Sequence, residues 1–135
     1  MTYRKAEIRP FRSEDEALLF GLASLARGAD ERTLAVLEEE TVFVAEVEGA
    51  AAGYVALDLG EEGCRVDQLF VSPEHEAEGV GRQLIEFAEG YAIFRGARAL
   101  RVVVEGGNER AESFYRGRGF VPVGEGLFEL VLPQR

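Results

Sequence analysis

The chain has 135 residues, 47% of them hydrophobic, and a net charge of −10 from 25 acids and 15 bases. That length supports a single domain, residues 1–135, with one sizeable core. The acidic balance argues against nucleic acid or an anionic membrane as partner, because both need a basic face. No apolar run approaches the ~20 residues that span a bilayer.

The single Cys64 rules out an internal disulfide. Met1–Lys5 leads into a strand pattern and not into an apolar signal segment, so a cytoplasmic location is the simplest expectation.

In chain order, Tyr3–Arg9 alternates as a first strand. Ser13 and Glu16 have capping-box spacing ahead of Ala17, Leu18, Phe20, Leu22 and Leu25, which predicts a helix to about Gly28. Asp30 can cap a second helix through Leu34 and Leu37, ending in Glu38–Glu40. Strand patterns follow at Thr41–Glu48, Ala52–Leu59 and Cys64–Val71, with turn signals at Gly49 and between Gly60 and Gly63. They read as an antiparallel meander. A helix over Val80–Arg95, a strand over Ala99–Val104 and a helix over Asn108–Gly117 come next. Two strands, Phe120–Val123 and Leu127–Leu132, close the chain, with Pro122 marking an edge or a bulge. The pattern is α+β with a mixed sheet.

The segment Glu76-Ala77-Glu78-Gly79-Val80-Gly81-Arg82 carries the chemistry. It joins a strand to a helix through Gly-x-Gly. The first backbone N–H groups of a helix have no partner inside it, and the helix dipole adds positive potential there. Glycine removes side chains that would keep a phosphate away. The turn is therefore a site for a phosphate-bearing ligand, or else a plain strand–helix turn. Downstream stand Arg101-Val102-Val103-Val104-Glu105-Gly106-Gly107-Asn108, then a short helix carrying Tyr115, then Gly119-Phe120.

Taken together, Val71, Pro73, Gly79, Gly81, Asn108, Tyr115, Gly119 and Phe120 resemble the GNAT superfamily of acyl-CoA-dependent N-acyltransferases. The match is well spaced over Val66–Phe120. The resemblance implies a single GNAT-like domain with a mostly antiparallel sheet of about six to seven strands and helices on both faces. Cys64–Val71 and Ala99–Val104 would run parallel and splay apart, admitting the pantetheine arm of acetyl-CoA, the co-substrate. No metal is implied.

The resemblance also assigns roles. The N–H groups of Gly79, Val80, Gly81 and Arg82 would bind the coenzyme pyrophosphate. Backbone groups of Phe70, Val71 and Ser72 would pair with pantetheine amides and polarise the thioester oxygen. Asn108 would touch the coenzyme while capping a helix. Tyr115 would be the general acid; otherwise it is an amphipathic core residue. A phenol near pKa ~10 would protonate a thiolate of about 8.5 at a cost of ~2 kcal/mol.

Position 76 departs from the family pattern, having Glu where Gln or Arg is usual. A carboxylate there cannot donate a hydrogen bond to phosphate. With Glu78 also present, coenzyme binding is expected to be weaker than the family norm and strongly salt-sensitive, with Arg82 offsetting part of the loss.

For the general base, Asp67 is the first candidate, as a carboxylate in an alternating apolar strand on the face of Leu69 and Val71. The other reading of Asp67 is a salt bridge to Arg65 or Arg101. Glu46 and Glu105 are weaker candidates. Val103 stands where family members acting on ribosomal-protein N-termini often have Glu. His75 is expected exposed, and Cys64 inert.

The expected activity is direct acetyl transfer to the primary amine of a small substrate, with the acidic balance favouring a cationic one. An acyl-CoA-binding or regulatory module is the alternative. A homodimer through the final strands is compatible with both.

Overall fold

The computed structural model describes residues 3–27, 31–60 and 63–134. The strands are β1 (Glu7–Pro10), β2 (Thr41–Val47), β3 (Ala50–Gly60), β4 (Gly63–Val71), β5 (Ala99–Val103), β6 (Val121–Gly124) and β7 (Leu127–Val131). The helices are α1 (Glu16–Arg27), α2 (Glu31–Glu39), α3 (Val80–Phe94) and α4 (Glu109–Gly117). They build one 7-stranded sheet in the order β1-β2-β3-β4-β5-β7-β6. The β4–β5 pair is parallel and every other pair is antiparallel. Among the described residues no helix is long and apolar enough to cross a membrane.

Each face of the sheet has its own apolar cluster. Val80, Leu84, Ile85, Ala88 and Ala92 recur at helical spacing along α3 and pack with Val55, Leu57, Val66, Leu100 and Val102. Tyr115 of α4 joins that cluster. On the other face, Leu19 and Ala23 of α1 and Leu37 of α2 pack with Val42, Val44, Tyr54, Ala56 and Phe70. Strand alternation sends Tyr54 and Val55 to opposite clusters, which is why β3 is buried on both faces.

The first strand is shorter than the sequence pattern suggests, and it starts at Glu7. Residues before it are bound by α3 instead. The Gln83 side chain accepts from Ala6 N–H (2.8 Å) and donates to the Arg4 carbonyl (2.7 Å), and Arg4 N–H donates to the Glu78 carbonyl (2.9 Å).

The start of the first helix is also built differently from the expected Ser13–Glu16 box. A 3-10 turn, Ser13–Asp15, precedes α1, and the Asp15 carboxylate accepts from Arg12 N–H (2.8 Å). Arg9 grips that carboxylate with two bonds of 2.7 Å and reaches Glu46 at 3.3 Å. Ser13 turns to Glu14 instead. A bidentate partner on β1 outcompetes a hydroxyl cap, because charge-assisted bonds are the stronger ones. The expected stop at Gly28, the Asp30 cap and the packing of Leu25 and Leu34 lie outside the described residues.

Pro122 sits on β6, at the sheet edge, next to a register shift between Pro122 and Gly124. Both expected meanings of that proline hold together here.

Candidate active site

Val66 and Val102 are the last partners of the β4–β5 ladder, which contains only Cys64–Leu100, Arg65–Arg101 and Val66–Val102. β4 continues to Val71 without β5. The strands part where β4 carries an extra residue. Leu57 pairs with Val66 and Ala56 with Gln68, so Asp67 is a bulge.

Beyond the bulge, Ser72 N–H donates to the Ala52 carbonyl (2.7 Å), and the pairing of β4 with β3 alternates from there. The amides of Leu69 and Val71 therefore face away from β3, into the gap, while those of Phe70 and Ser72 face β3. Ser72 is buried and its amide is engaged. Of the three expected backbone contacts, Val71 has its N–H on the open side.

A groove of about 600 Å³ runs along this gap, lined by Leu69, Phe70, Val71, the Glu76–Arg82 turn, Asn108, Arg110, Phe114 and Tyr115 among others. At its α3 end, Gly79 is the N-cap with φ of 82°. The amides of Val80, Gly81 and Arg82 donate no hydrogen bond to another described residue. Unpartnered amides at the start of a helix can receive an anion.

The two glycines of the turn differ in what their surroundings require. Gly79 needs its left-handed backbone, and a Cβ there would lie 2.8 Å from the Tyr3 ring. A Cβ at Gly81 would lie 3.5 Å from Val71 Cγ2, an ordinary contact.

The acids of the turn leave those amides open. Glu78 is turned onto His75 Nδ1 (2.7 Å) and Arg4 Nε (3.4 Å). His75, expected exposed, is half-buried by this contact. Glu76 faces Arg110 across the groove at 3.8 Å. Arg82 donates to Glu86 at 2.9 Å, along its own helix.

On the opposite wall, the Asn108 side chain accepts from Ala111 N–H (3.1 Å) and caps α4 at the groove mouth. Tyr115 is 5% exposed, with its ring held by Phe114 and Phe120 at 5.1 and 5.4 Å between centroids. Its hydroxyl makes no hydrogen bond to another described residue. Burial pushes the phenol up to about 12. The phenol is thus protonated at neutral pH. Proton transfer to a thiolate of about 8.5 would be uphill by ~5 kcal/mol, more than the sequence-based ~2.

Asp67 is placed differently from its expected face. Leu69 and Val71 pack against the α3 cluster, whereas the Asp67 carboxylate lies with those of Glu40 and Asp58, beyond the end of α2. It accepts from Arg65 Nε, the salt bridge weighed as its other reading. It does not line the groove. The bulge inverts the alternation on which the expected face depended.

Glu40 escapes any sequence motif. Burial first, then its hydrogen bond to Asp67, pushes its carboxyl up to about 8, and its Oε1 is buried without a partner. Glu46 is tied to Arg9, and neither it nor the exposed Glu105 lines the groove. Cys64 is buried, and burial pushes its thiol up to about 11, in keeping with inert packing.

Leu69, Arg110 and Phe114 line the groove without having been singled out from the sequence. The period-2 relation of Leu69 to Val71 could have found the first, and the helical stripe of α4 the third. Nothing local marks Arg110.

The chain is similar to known proteins. The model of the acetyltransferase (GNAT) family matches residues 5–120. An "uncharacterized N-acetyltransferase" of Archaeoglobus fulgidus is 35% identical over 85 residues, 58% of this chain and 58% of that protein. The chain thus matches little more than half the length of that relative. The ribosomal-protein-S18-alanine N-acetyltransferase of Escherichia coli superposes with a TM-score of 0.82 at 19% identity, covering 97% of this chain and 96% of its own. The PaiA N-acetyltransferase of Thermoplasma acidophilum, solved in complex with coenzyme A, superposes with a TM-score of 0.76 at 20% identity, covering 94% and 99%. These two likenesses speak for the fold. The family match spans most of the sequence, and with it the groove and the parted strands. The chain belongs to the acetyltransferase (GNAT) family.

Proposed function

We propose that this protein moves an acetyl group from acetyl-CoA directly to the primary amine of a small, cationic substrate. The observation that carries this reading is the parted β4–β5 ladder, with a groove running from the free amides of α3 to Tyr115. The residues present fit the coenzyme: unpartnered amides suit a pyrophosphate, and the Val71 N–H suits an extended pantetheine arm. Acetyl-CoA bound there would supply the activated thioester.

The chain's own groups then divide the work. Val80, Gly81 and Arg82 hold the pyrophosphate, and Val71 orients the arm. Tyr115 gives its proton to the departing thiolate as the new N–C bond forms and the C–S bond breaks. An alkylamine near pKa ~10 is only ~0.1% neutral at pH 7, so a base must take its proton. Asp67 stands where the ladder parts, and its hydrogen bond to Glu40 extends it toward α2. That placement supports Asp67 as the proton acceptor, reached through water from the face opposite Tyr115. Among the described residues no activated nucleophile lines the groove, which favours direct attack by the amine. The net charge of −10 supports a cationic acceptor.

Release of free thiol from acetyl-CoA across an amine panel tests the reading. Thiol release that needs both an amine and Tyr115 supports it. Coenzyme binding without thiol release from any amine would favour a binding module instead.

The terminal hairpin also supports a homodimer, since Val121 and Val123 of the edge strand β6 are 56% and 46% exposed and Val131 of β7 is 76% exposed. Light scattering reads that directly.

A further inference from the structure

Glu76 and Arg110 face each other across the groove mouth, with Arg110 Nη1 3.8 Å from Glu76 Oε2. That distance is an ion pair without a hydrogen bond. Both side chains are largely in water, at 79% for Arg110 and 49% for Glu76, so parting them costs little.

The other basic groups near the turn are already committed. Arg82 donates to Glu86 at 2.9 Å, and Arg4 bonds to Glu48 at 2.9 Å while flanking Glu78. His75 is bound to Glu78. The free amides of α3 and the guanidinium of Arg110 thus border one groove, and Glu76 pairs with Arg110 there.

We propose that Arg110 is the cation that binds the coenzyme pyrophosphate in this chain, supplied from α4 in place of the Gln or Arg missing at position 76. The proposal rests on the coenzyme reading above. Glu76 holds the guanidinium over the groove in the free protein and is displaced from it by the incoming phosphate. A guanidinium presents a planar fork that matches two phosphate oxygens, a better partner than a carboxylate oxygen at 3.8 Å. The acidic residue is then a competitor for Arg110 as well as a repulsive charge, so its removal strengthens binding.

Calorimetric titration of the full chain with coenzyme A and with dephospho-coenzyme A tests this, using wild type, Arg110→Gln, Glu76→Gln, the double variant of the two and Arg98→Gln. Arg98 lines a separate cavity at the far end of the sheet and controls for net charge. Arg110→Gln is expected to weaken both ligands about tenfold and to flatten the salt dependence. Glu76→Gln is expected to tighten both several-fold, and less so when Arg110 is already Gln. Arg98→Gln is expected to change binding less than about twofold.

Equal binding by Arg110→Gln and wild type would overturn the proposal and leave the coenzyme reading intact. A loss confined to coenzyme A, with dephospho-coenzyme A unaffected, would place Arg110 on the 3′-phosphate and overturn it too. A wild type that binds neither ligand would overturn both readings together. Arg110 is 79% exposed, so its variants are expected to melt as wild type does.

Discussion

Val66 and Val102 are the last residues to share the parallel ladder at the centre of the sheet, and the bulged Asp67 comes immediately after. An extra residue in one strand increases its local twist and ends pairing. The opening of the groove is thus written into β4 itself. Packing supports both sides of the gap, through Leu69 and Val71 on one strand and Phe128 and Leu132 behind the other.

Tyr115 is the first place where the site can be tested by mutation. Tyr115→Phe is expected to lower kcat about 10²-fold while leaving coenzyme affinity within about twofold. Because burial pushes the phenol up to about 12, no loss of activity from its ionisation should occur between pH 7 and 10. Steady-state kinetics across that range check both points. An unchanged kcat would remove Tyr115 from the mechanism.

The two glycines of the turn should respond differently to alanine. Gly79 has φ of 82°, so Gly79→Ala is expected to cost about 1–2 kcal/mol in a denaturant melt. Gly81 is in the first turn of α3 with ordinary space for a Cβ. Gly81→Ala is expected to be neutral or stabilising by up to ~1 kcal/mol and to retain coenzyme binding. Loss of binding in a stable Gly81→Ala protein would show that the phosphate needs the missing side chain after all.

Glu40 makes stability depend on pH. Its folded value is about 8 against an ordinary ~4.3, so between those values the native state holds a proton that the unfolded chain has released. Its contribution is complete below about pH 4 and is lost as pH rises through 8. Glu40→Gln should therefore raise the melting temperature relative to wild type more at pH 8 than at pH 5. A constant difference at the two pH values would contradict the assignment.

Asp15 works in the opposite direction. The Arg9 guanidinium, aided by Arg12 N–H, holds its carboxyl below the usual carboxylate range against the opposing effect of burial. Its contribution is present above about pH 4 and is lost as pH falls through the folded value. Both partners are mostly buried, at 17% and 11% side-chain exposure, so Arg9→Ala is expected to cost about 3 kcal/mol. Urea melts at pH 7 and pH 3 check this, with a smaller difference expected at the lower pH.

Element order and the α4 cap were legible in the sequence because each depends on near neighbours. Asn108 is a cap that local chemistry dictates. What was not legible depends on partners far along the chain. Arg9, from another strand, redirected the cap of the first helix to Asp15. Gln83 drew Arg4 and Ala6 out of the first strand across 77 to 79 residues of sequence. The bulge at Asp67 broke a period-2 reading that had no local marker, since neither glycine nor proline announces it. Arg110 reaches the groove only because α4 packs beside the α3 turn.

The central claim is that the parted strands and the α3 N-terminus receive one coenzyme. Amide-resolved NMR titration of the protein with coenzyme A tests it most directly. The account predicts saturable shifts that are largest at Leu69, Val71 and Gly79–Arg82, with little change at β1 or β6. Saturable shifts centred elsewhere, or none at millimolar coenzyme, would contradict it.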